Sequence, residues 1–486
     1  MKLVLRGNIN KTYVQTLCMM FFHGEKFPEK EDSSQNVAVV EQREFENRME
    51  ATCQLTYGDK TAIGSAKLTI SPETNMKRAS KAAVGRAVYE AGKKITGKEI
   101  PWGILTGIRP SKIANEILKE TSFEVALTRL TQDYLLSERK AELCLKVAKN
   151  EYSIIESYGE NTCSIYISIP FCPTRCTYCS FISYATKKLL DLIPSYLSAI
   201  IDEFDKKLEL INNLGLELVT VYIGGGTPTT LNEEQLEFLL QHIASKVEVS
   251  ALHEFTVECG RPDTITLEKL HILERYGVNR ISVNPQTLND EVLKNIGRRH
   301  TVQDFFNAYN LAKNNTEFII NVDLIAGLED DNIESFKNTI DSVISLDPDN
   351  ITVHTFSVKK SAQALENNKD IYNMSDNSAI DSVDYAYGRL TSSSYEPYYM
   401  YRQKNTVSDL ENVGYSKKNC FSIYNILMMS DSHTVFGVGA GATTKLVLNK
   451  NDKREILRIF SPKYPYEYLK NKDYKLNDIL SFYEEV

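Results

Sequence analysis

Apolar and polar positions set up two kinds of pattern along the 486-residue chain. From residue 161 onward, short apolar runs recur, and each is followed by a stretch with helical spacing. The runs at 165–169, 218–223, 254–258, 279–283, 317–323 and 350–355 read as buried strands. The stretch LLDLIPSYLSAIIDEFDKKLELI shows the helical period between the first two. Six strand–helix units argue a parallel sheet curled toward a barrel, with functional groups at the C-terminal strand ends.

The flanks read differently. Residues 1–70 look like strands: VAVVEQREFENRMEATCQLTYG alternates in part, and Gly58-Asp59-Lys60 marks a hairpin turn. Past Pro72 the pattern turns helical through SKAAVGRAVYEAGKKIT, with Gly97 as its C-cap. Next, PWGILTGIRPSKIANEIL holds the only tryptophan, Trp102, and places Arg109 and Lys112 around Pro110. Ser111 is a candidate cap there, and a packed turn is the plainer reading. Residues 134–157 form an amphipathic helix leading to the next domain. The predicted fold class is α/β: an N-terminal α+β domain of unknown role at 1–160, a partial (β/α)6 barrel at 161–360, and a smaller C-terminal extension at 361–486 that covers the active site. The extension contains a polar run from Ser361, a helical pattern at SVDYAYGRLTSSS, the aromatic stretch YEPYYMYRQKN and a glycine-rich turn at Val435–Ala442.

Charge and composition narrow the function. The net charge of −8, with no dense basic run, disfavours a broad nucleic-acid surface. No apolar stretch has transmembrane length, and MKLVLRGNINKTY has too short an apolar run for a signal peptide. A cytoplasmic monomer with reduced thiols is the expectation.

One segment carries distinctive chemistry. IYISIPFCPTRCTYCSF holds Cys172, Cys176 and Cys179 just after the first strand, and Pro170 and Pro173 force a loop. Three thiolates in this spacing suit three irons of a four-iron cluster, leaving the fourth iron open to a small molecule. Zinc is the alternative, but no fourth Cys or His lies nearby in sequence. Tyr166, Phe171, Tyr178 and Phe181 offer an aromatic wall. The other cysteines, Cys18, Cys53, Cys144, Cys163, Cys259 and Cys420, are scattered and read mostly as core thiols.

The later strand ends are polar. Strand two ends in Gly224-Gly225-Gly226-Thr227-Pro228, strand three in Glu258, strand four in Asn284-Pro285-Gln286, strand five in Asp323 and strand six in His354 to Ser357. Singly, each reads as a solvated loop residue. Their succession after the cysteine loop makes the set informative.

The cysteine loop resembles that of the radical S-adenosylmethionine (SAM) superfamily. YISIPFC, GGGTPT, EFTVECGRPD, RISVNPQT, IGRRHT, NVDLIAGL and FGVGA, in this order over about 161 to 445, resemble the oxygen-independent coproporphyrinogen III oxidase group. TGIRPSKI, GRPDTI, NPQTLN, RQKN and NVGYS resemble its HemZ branch, coproporphyrinogen dehydrogenase. The resemblance implies a [4Fe-4S] cluster on Cys172, Cys176 and Cys179, beside Tyr178. It implies SAM contacts from Tyr166, Gly225, Gly226, Thr227 and Glu258, and further ones from Gln286, Arg298, Asp323, Ser357 and Ala442. Tyr166, Glu258 and Arg298 are the implied catalytic residues. One electron from a flavodoxin or ferredoxin would cleave SAM, and the resulting radical would start oxidative decarboxylation of coproporphyrinogen III propionates to give protoporphyrinogen IX. Arg298, Arg299, Arg402 and Lys404 are candidate carboxylate partners, with Tyr398, Tyr399 and Tyr401 as a cover for the flat macrocycle; for Arg299 and Lys404 a surface charge is the plainer reading, and the Arg402 stretch reads equally as an amphipathic core segment with its arginine in water.

There are departures from the family pattern. Phe181 stands where the oxidase branch has a fourth cysteine, Ser168 where it has histidine, and Glu329 follows Gly327-Leu328 where proline is usual. The HNxxYW marker of the haem-chaperone branch is also missing, since Lys404-Asn405 has no tryptophan after it. Two other readings therefore stand beside the oxidase: a haem-trafficking protein, and a radical SAM enzyme acting on haem.

Overall fold

The computed structural model describes the chain apart from residues 29–33, 72–73, 180–182, 358–377, 404–405, 407–408, 451–452, 472 and 485–486. Phe181, Lys404 and the polar run from Ser361 fall outside the described residues. Contacts divide the described chain into two units. Met1–Lys149 and Met400–Leu410 belong to the first, and the remainder forms the second. The division falls inside one helix, Glu138–Ser157. That helix starts later than the predicted 134, because Leu135 has a positive φ and the Tyr134 carbonyl accepts from Ile104 N–H.

The first unit is a four-stranded sheet under two helices. β1 (Lys2–Arg6) runs parallel to β2 (Val37–Phe45), which continues antiparallel into β3 (Arg48–Tyr57) and β4 (Lys60–Thr69). The hairpin turn falls at Gly58-Asp59, as the pattern predicts. Met49, Ala51, Cys53 and Leu55 alternate along β3 and are buried, so one sheet face is core. The helices Lys11–Phe21 and Met76–Thr96 cover it with Val14, Leu17, Ala83, Ala87 and Val88. Gly97 ends the second helix in the left-handed conformation, as expected. Ser111 does not cap: the next helix begins at Pro110 with Arg109 in the cap position, and Ser111 is buried in its first turn.

The second unit contains the predicted barrel strands. β5 (Thr162–Ile169), β6 (Glu217–Gly225), β7 (Glu254–Glu258), β8 (Arg280–Ser282), β9 (Ile319–Ala326) and β10 (Asn350–Thr355) pair in parallel and in sequence order. This is the partial (β/α)6 arrangement. β11 (Glu396–Arg402) and β12 (Glu411–Ser416) extend the sheet beyond β10, and β12 is antiparallel to it. At the opposite edge, β13 (Thr434–Val438) lies parallel to β5, followed by β14 (Thr443–Lys450) and β15 (Lys453–Phe460). Residues 417–433 therefore connect one flank of the six-stranded array to the other. Among the described residues no helix is long and apolar enough to cross a membrane.

β13 is held by a buried charge pair. On the helix Ile193–Asn213, Lys207 Nζ lies 2.6 Å from Glu203 Oε1 and also donates to the Gly437 carbonyl. Glu203 Oε2 accepts from Gly439 N–H at 2.7 Å and Tyr468 hydroxyl at 2.6 Å. Removing one member of such a pair strands the other charge. Lys207→Ala is expected to destabilise the protein by about 3–5 kcal/mol. Denaturant unfolding checks this, and a loss below about 1 kcal/mol would mean Glu203 finds water or protonates at little cost.

Candidate active site

The site begins where β5 ends. Pro170 breaks the strand, and the loop folds back so that Cys172 N–H donates to the Tyr184 carbonyl (3.1 Å) and Tyr184 N–H to the Pro170 carbonyl (2.9 Å). Thr177 N–H donates to the Ile296 carbonyl (3.0 Å), and Thr174 Oγ1 to the Gly297 carbonyl (3.2 Å). Arg261, buried and paired with Asp263 at 3.0 Å, donates from Nη1 to Thr174 Oγ1 at 2.9 Å. Cys172 is buried, while Cys176 and Cys179 are half-buried. Burial pushes the Cys172 thiol up to about 11, opposed by the Thr227 hydroxyl at 3.3 Å and by Arg261.

The glycine run after β6 packs on this loop, and each glycine has its own reason. A Cβ on Gly224 would come within 2.9 Å of the Glu258 carboxyl. Gly225 has φ +107°, a conformation that L side chains rarely adopt. A Cβ on Gly226 would meet the Phe171 carbonyl at 2.6 Å and Cys172 Sγ at 3.0 Å. The N–H groups are engaged: Gly225 toward Glu258, Gly226 to Ile169 O (2.8 Å) and Thr227 to Phe171 O (2.8 Å). With these N–H groups taken, the run is not built to cradle an anion.

Glu258, at the end of β7, is half-buried and accepts from Tyr222 hydroxyl at 2.6 Å. Loss of water and the nearby Asp323 push its carboxyl up to about 7, against the pull of the Tyr222 and Gly225 hydrogen bonds. Tyr222 belongs to a triangle of three near-parallel rings. Its centroid is 4.3 Å from Tyr424 and 6.0 Å from Tyr166, and those two are 6.4 Å apart. Tyr424 arrives from the 417–433 connection. Glu254 on β7 takes Ser422 Oγ (3.0 Å), Ile423 N–H (2.8 Å) and Tyr424 N–H (3.3 Å), and pairs with Arg280 at 3.2 Å. Arg280 in turn donates to Asn321 Oδ1 (2.7 Å) and to the Cys420 and Phe421 carbonyls (2.9 and 3.0 Å).

The remaining strand ends are linked in turn. Asn284 donates to Asp323 Oδ2 (2.9 Å) and accepts from Asp323 N–H (3.1 Å), while His354 Nε2 lies 3.8 Å from Asp323. Gln286 sits at φ +71° with its N–H on the Asp323 carbonyl. Arg298 is buried and donates from Nη1 to the Asn284 carbonyl (2.6 Å) and the Gly260 carbonyl (3.3 Å), and from Nε to Tyr178 hydroxyl (3.3 Å). It thereby ties the cysteine loop to β8. His300, buried beside Arg298 and Arg261, is kept neutral, its ring lowered to about 3 by burial and both cations. Ser357 follows β10. Ala442 lies in the turn after β13, where Ser168 Oγ donates to the Ala440 carbonyl at 2.8 Å. The cysteine loop, the glycine run, Glu258, Gln286, Asp323 and Ser357 thus lie at or near the C-terminal ends of the parallel strands.

Two sequence expectations change. Tyr398 and Tyr399 are core residues of β11, with Tyr398 stacked on Phe421 at 5.0 Å and bonded to Asn350. Arg402 is buried within the first unit, donating to the Leu105 and Asp409 carbonyls and lying 5.2 Å over the Trp102 ring. It is a structural cation, not one held out to a substrate, because apolar burial forced it onto carbonyls. Arg299 is exposed. Sequence reading also missed Tyr222, Arg261 and Tyr424. Strand parity beside Tyr166 marks Tyr222, but no local signal marks Tyr424.

Comparison with known proteins agrees with this geometry. The Radical SAM superfamily profile matches residues 166–343. The oxygen-independent coproporphyrinogen-III oxidase-like protein HemZ of Bacillus subtilis is 36% identical over 396 residues, covering 80% of this chain and 78% of its own. The chain belongs to the HemZ/HemN-like coproporphyrinogen oxidase family of radical SAM proteins. Two other relatives are the haem chaperones HemW of B. subtilis, 37% identical over 40% of this chain and 51% of that one, and of Escherichia coli, 27% identical over 64% and 76%. The E. coli coproporphyrinogen III oxidase HemN shares the fold, with TM-score 0.52 and 22% identity over 67% of this chain and 71% of that chain.

The family implies a [4Fe-4S] cluster and SAM, and the donor set fits. Cys172, Cys176 and Cys179 lie on one loop, and beyond the effect of burial, Cys176 and Cys179 are near enough to Cys172 to raise its thiol by their charge, as three thiolates of one cluster would be.

The Glu258 shift has a measurable consequence. Between its ordinary 4.5 and about 7, the folded protein keeps a proton that the unfolded chain has released. Stability from this group is therefore present below that window and falls as pH rises through it. Urea unfolding of the cluster-free protein at about pH 5 and about pH 8 should show a smaller loss in Glu258→Gln than in the wild type. Equal losses would mean the carboxyl titrates normally.

Proposed function

We propose that this radical SAM protein is an oxygen-independent coproporphyrinogen dehydrogenase, acting in the cytoplasm on the propionates of coproporphyrinogen III. The observation that best supports the reading is the packing of Gly226 and Thr227 against Cys172, beside the cysteine loop. In this reading Cys172, Cys176 and Cys179 hold the cluster. Cluster and SAM together supply the one-electron chemistry that removes hydrogen from an unactivated carbon.

The chain's own groups bind and orient. The Gly225–Thr227 turn and Glu258 meet the polar end of SAM, with Tyr222 holding the Glu258 carboxyl in place. Tyr166 presents a ring at the strand end, backed by the stack on Tyr222 and Tyr424. Arg298 acts by fixing Tyr178 and the cysteine loop against β8. Asn284, Asp323 and Gln286 form a further polar group at the ends of β8 and β9, with Ser357 after β10 and Ala442 after β13 as further contacts. We also read residues 1–160 as an N-terminal α+β domain and 361–486 as the cover of the site.

Haem trafficking is the second reading, favoured by the HemW relatives and by Phe181 in place of a fourth cysteine. Anaerobic incubation of reconstituted protein with SAM, a reductant and coproporphyrinogen III separates the two by mass spectrometry. Stepwise loss of two carboxyl groups supports the dehydrogenase. Tight haem binding with no decarboxylation under any electron supply would favour trafficking. In the same preparation about four irons per chain are expected. Cys172→Ala, Cys176→Ala and Cys179→Ala should each abolish SAM cleavage, while Cys163→Ala and Cys259→Ala keep it. Tight zinc without iron after anaerobic purification would sink the cluster assignment.

A further inference from the structure

A cluster buried in one chain needs electrons from outside it, and the inference below rests on the radical SAM reading. Exposed large apolar side chains elsewhere in the described chain fall one to an element. One stretch differs. Phe460 is 69% exposed, Tyr464 44% and Tyr466 45%, all within seven residues. Tyr464 stacks with Tyr466 at 5.5 Å and lies 5.7 Å from Tyr184. Tyr184 is the residue whose carbonyl holds Cys172 N–H, so the patch is one backbone hydrogen bond from the cysteine loop. Its other end is anchored beside the site as well: Ser461 N–H donates to the Ala442 carbonyl and Gly441 N–H to the Pro462 carbonyl.

The charge around this patch runs against that of the chain. Arg175 lies beside Tyr184, Lys187 and Lys188 follow it, and Lys463 and Lys470 flank the two stacked tyrosines. All five are exposed, and the acids on the same segments are Asp191 and Glu467. The chain as a whole carries −8. Exposed tyrosines with a ring of like charge mark a protein-docking face rather than scattered surface. Electron-transfer encounters are small and weak, below about 1,200 Å², and use complementary charge to speed association.

We propose that Phe460, Tyr464, Tyr466 and Tyr184, rimmed by Arg175, Lys187, Lys188 and Lys463, dock an acidic one-electron carrier protein. In the encounter the carrier is oxidised by one electron and the cluster is reduced by one. No bond is made or broken, and no proton is required.

The test uses anaerobically reconstituted holoprotein with flavodoxin hydroquinone as the probe. Two variants are made on separate elements: Tyr464→Ser with Tyr466→Ser, and Lys187→Glu with Lys188→Glu. Each should raise the KM for flavodoxin in SAM cleavage on the order of tenfold and weaken flavodoxin binding, by biolayer interferometry, to the same degree. SAM cleavage driven by dithionite should be unchanged, and the wild-type KM should rise with salt. An unchanged flavodoxin KM and affinity in both variants would overturn the proposal. So would a tyrosine-dependent dimer in sedimentation with unaltered flavodoxin binding, which would make the patch a self-association face. Absence of SAM cleavage with both reductants would overturn the radical SAM reading instead, and the binding measurement would still decide the docking face.

Discussion

The approach of two bare backbone segments governs the site. Gly226 has no room for a methyl group between the Phe171 carbonyl and Cys172 Sγ, and Gly225 takes a φ that side chains resist. Because the turn after β6 lies against the loop after β5, the Thr227 hydroxyl reaches the buried thiol and Gly226 N–H closes on the end of β5. A side chain at either position would separate the loop that offers thiolates from the glycine turn, so the two halves of the site depend on one contact.

Beneath that contact the sheet interior is polar. In a barrel the inward residues of parallel strands are packed core. Here they include Ser164, Thr220, Glu254, Arg280, Asn321 and Asn350, all buried. Such a core is stable only when its groups are mutually satisfied. The connection from β12 to β13 supplies what is missing: backbone carbonyls for Arg280, N–H groups for Glu254, and His433 for Ser164 at 2.7 Å. His433 is lowered to about 3 by burial and Lys445, so it stays neutral and serves as a hydrogen-bonding group. The connection is therefore part of the floor of the site, and Tyr424 comes with it.

Ser168 shows how a departure from family pattern is absorbed. Its hydroxyl bonds the Ala440 carbonyl, while its own carbonyl accepts from Tyr196, whose oxygen accepts from Ala440 N–H at 2.7 Å. The strand carrying the cysteine loop and the late glycine turn are locked together by these three bonds. The extension after residue 411 is thus welded to β5, on the side where the exposed tyrosines emerge.

The six parallel strands were legible because strands buried on both faces read as unbroken apolar runs, and the observed limits differ from 165–169 or 317–323 by only a few residues. The cysteine loop and glycine run were legible because thiols, prolines and glycines restrict chemistry and backbone locally. The C-terminal-edge rule then put Glu258, Gln286 and Asp323 at strand ends. The polar partners were not legible. A glutamate or arginine inside a strand pattern reads as solvent-facing until its partner is known, and the partners of Glu254 lie about 170 residues away. Arg402 read as a free cation for the same reason, and the tyrosines of β11 as a ligand cover. Local sequence determined the period, the breaks and the thiolate set. Tertiary structure decided which polar groups meet, because burial makes each seek a partner that only the folded sheet brings within reach.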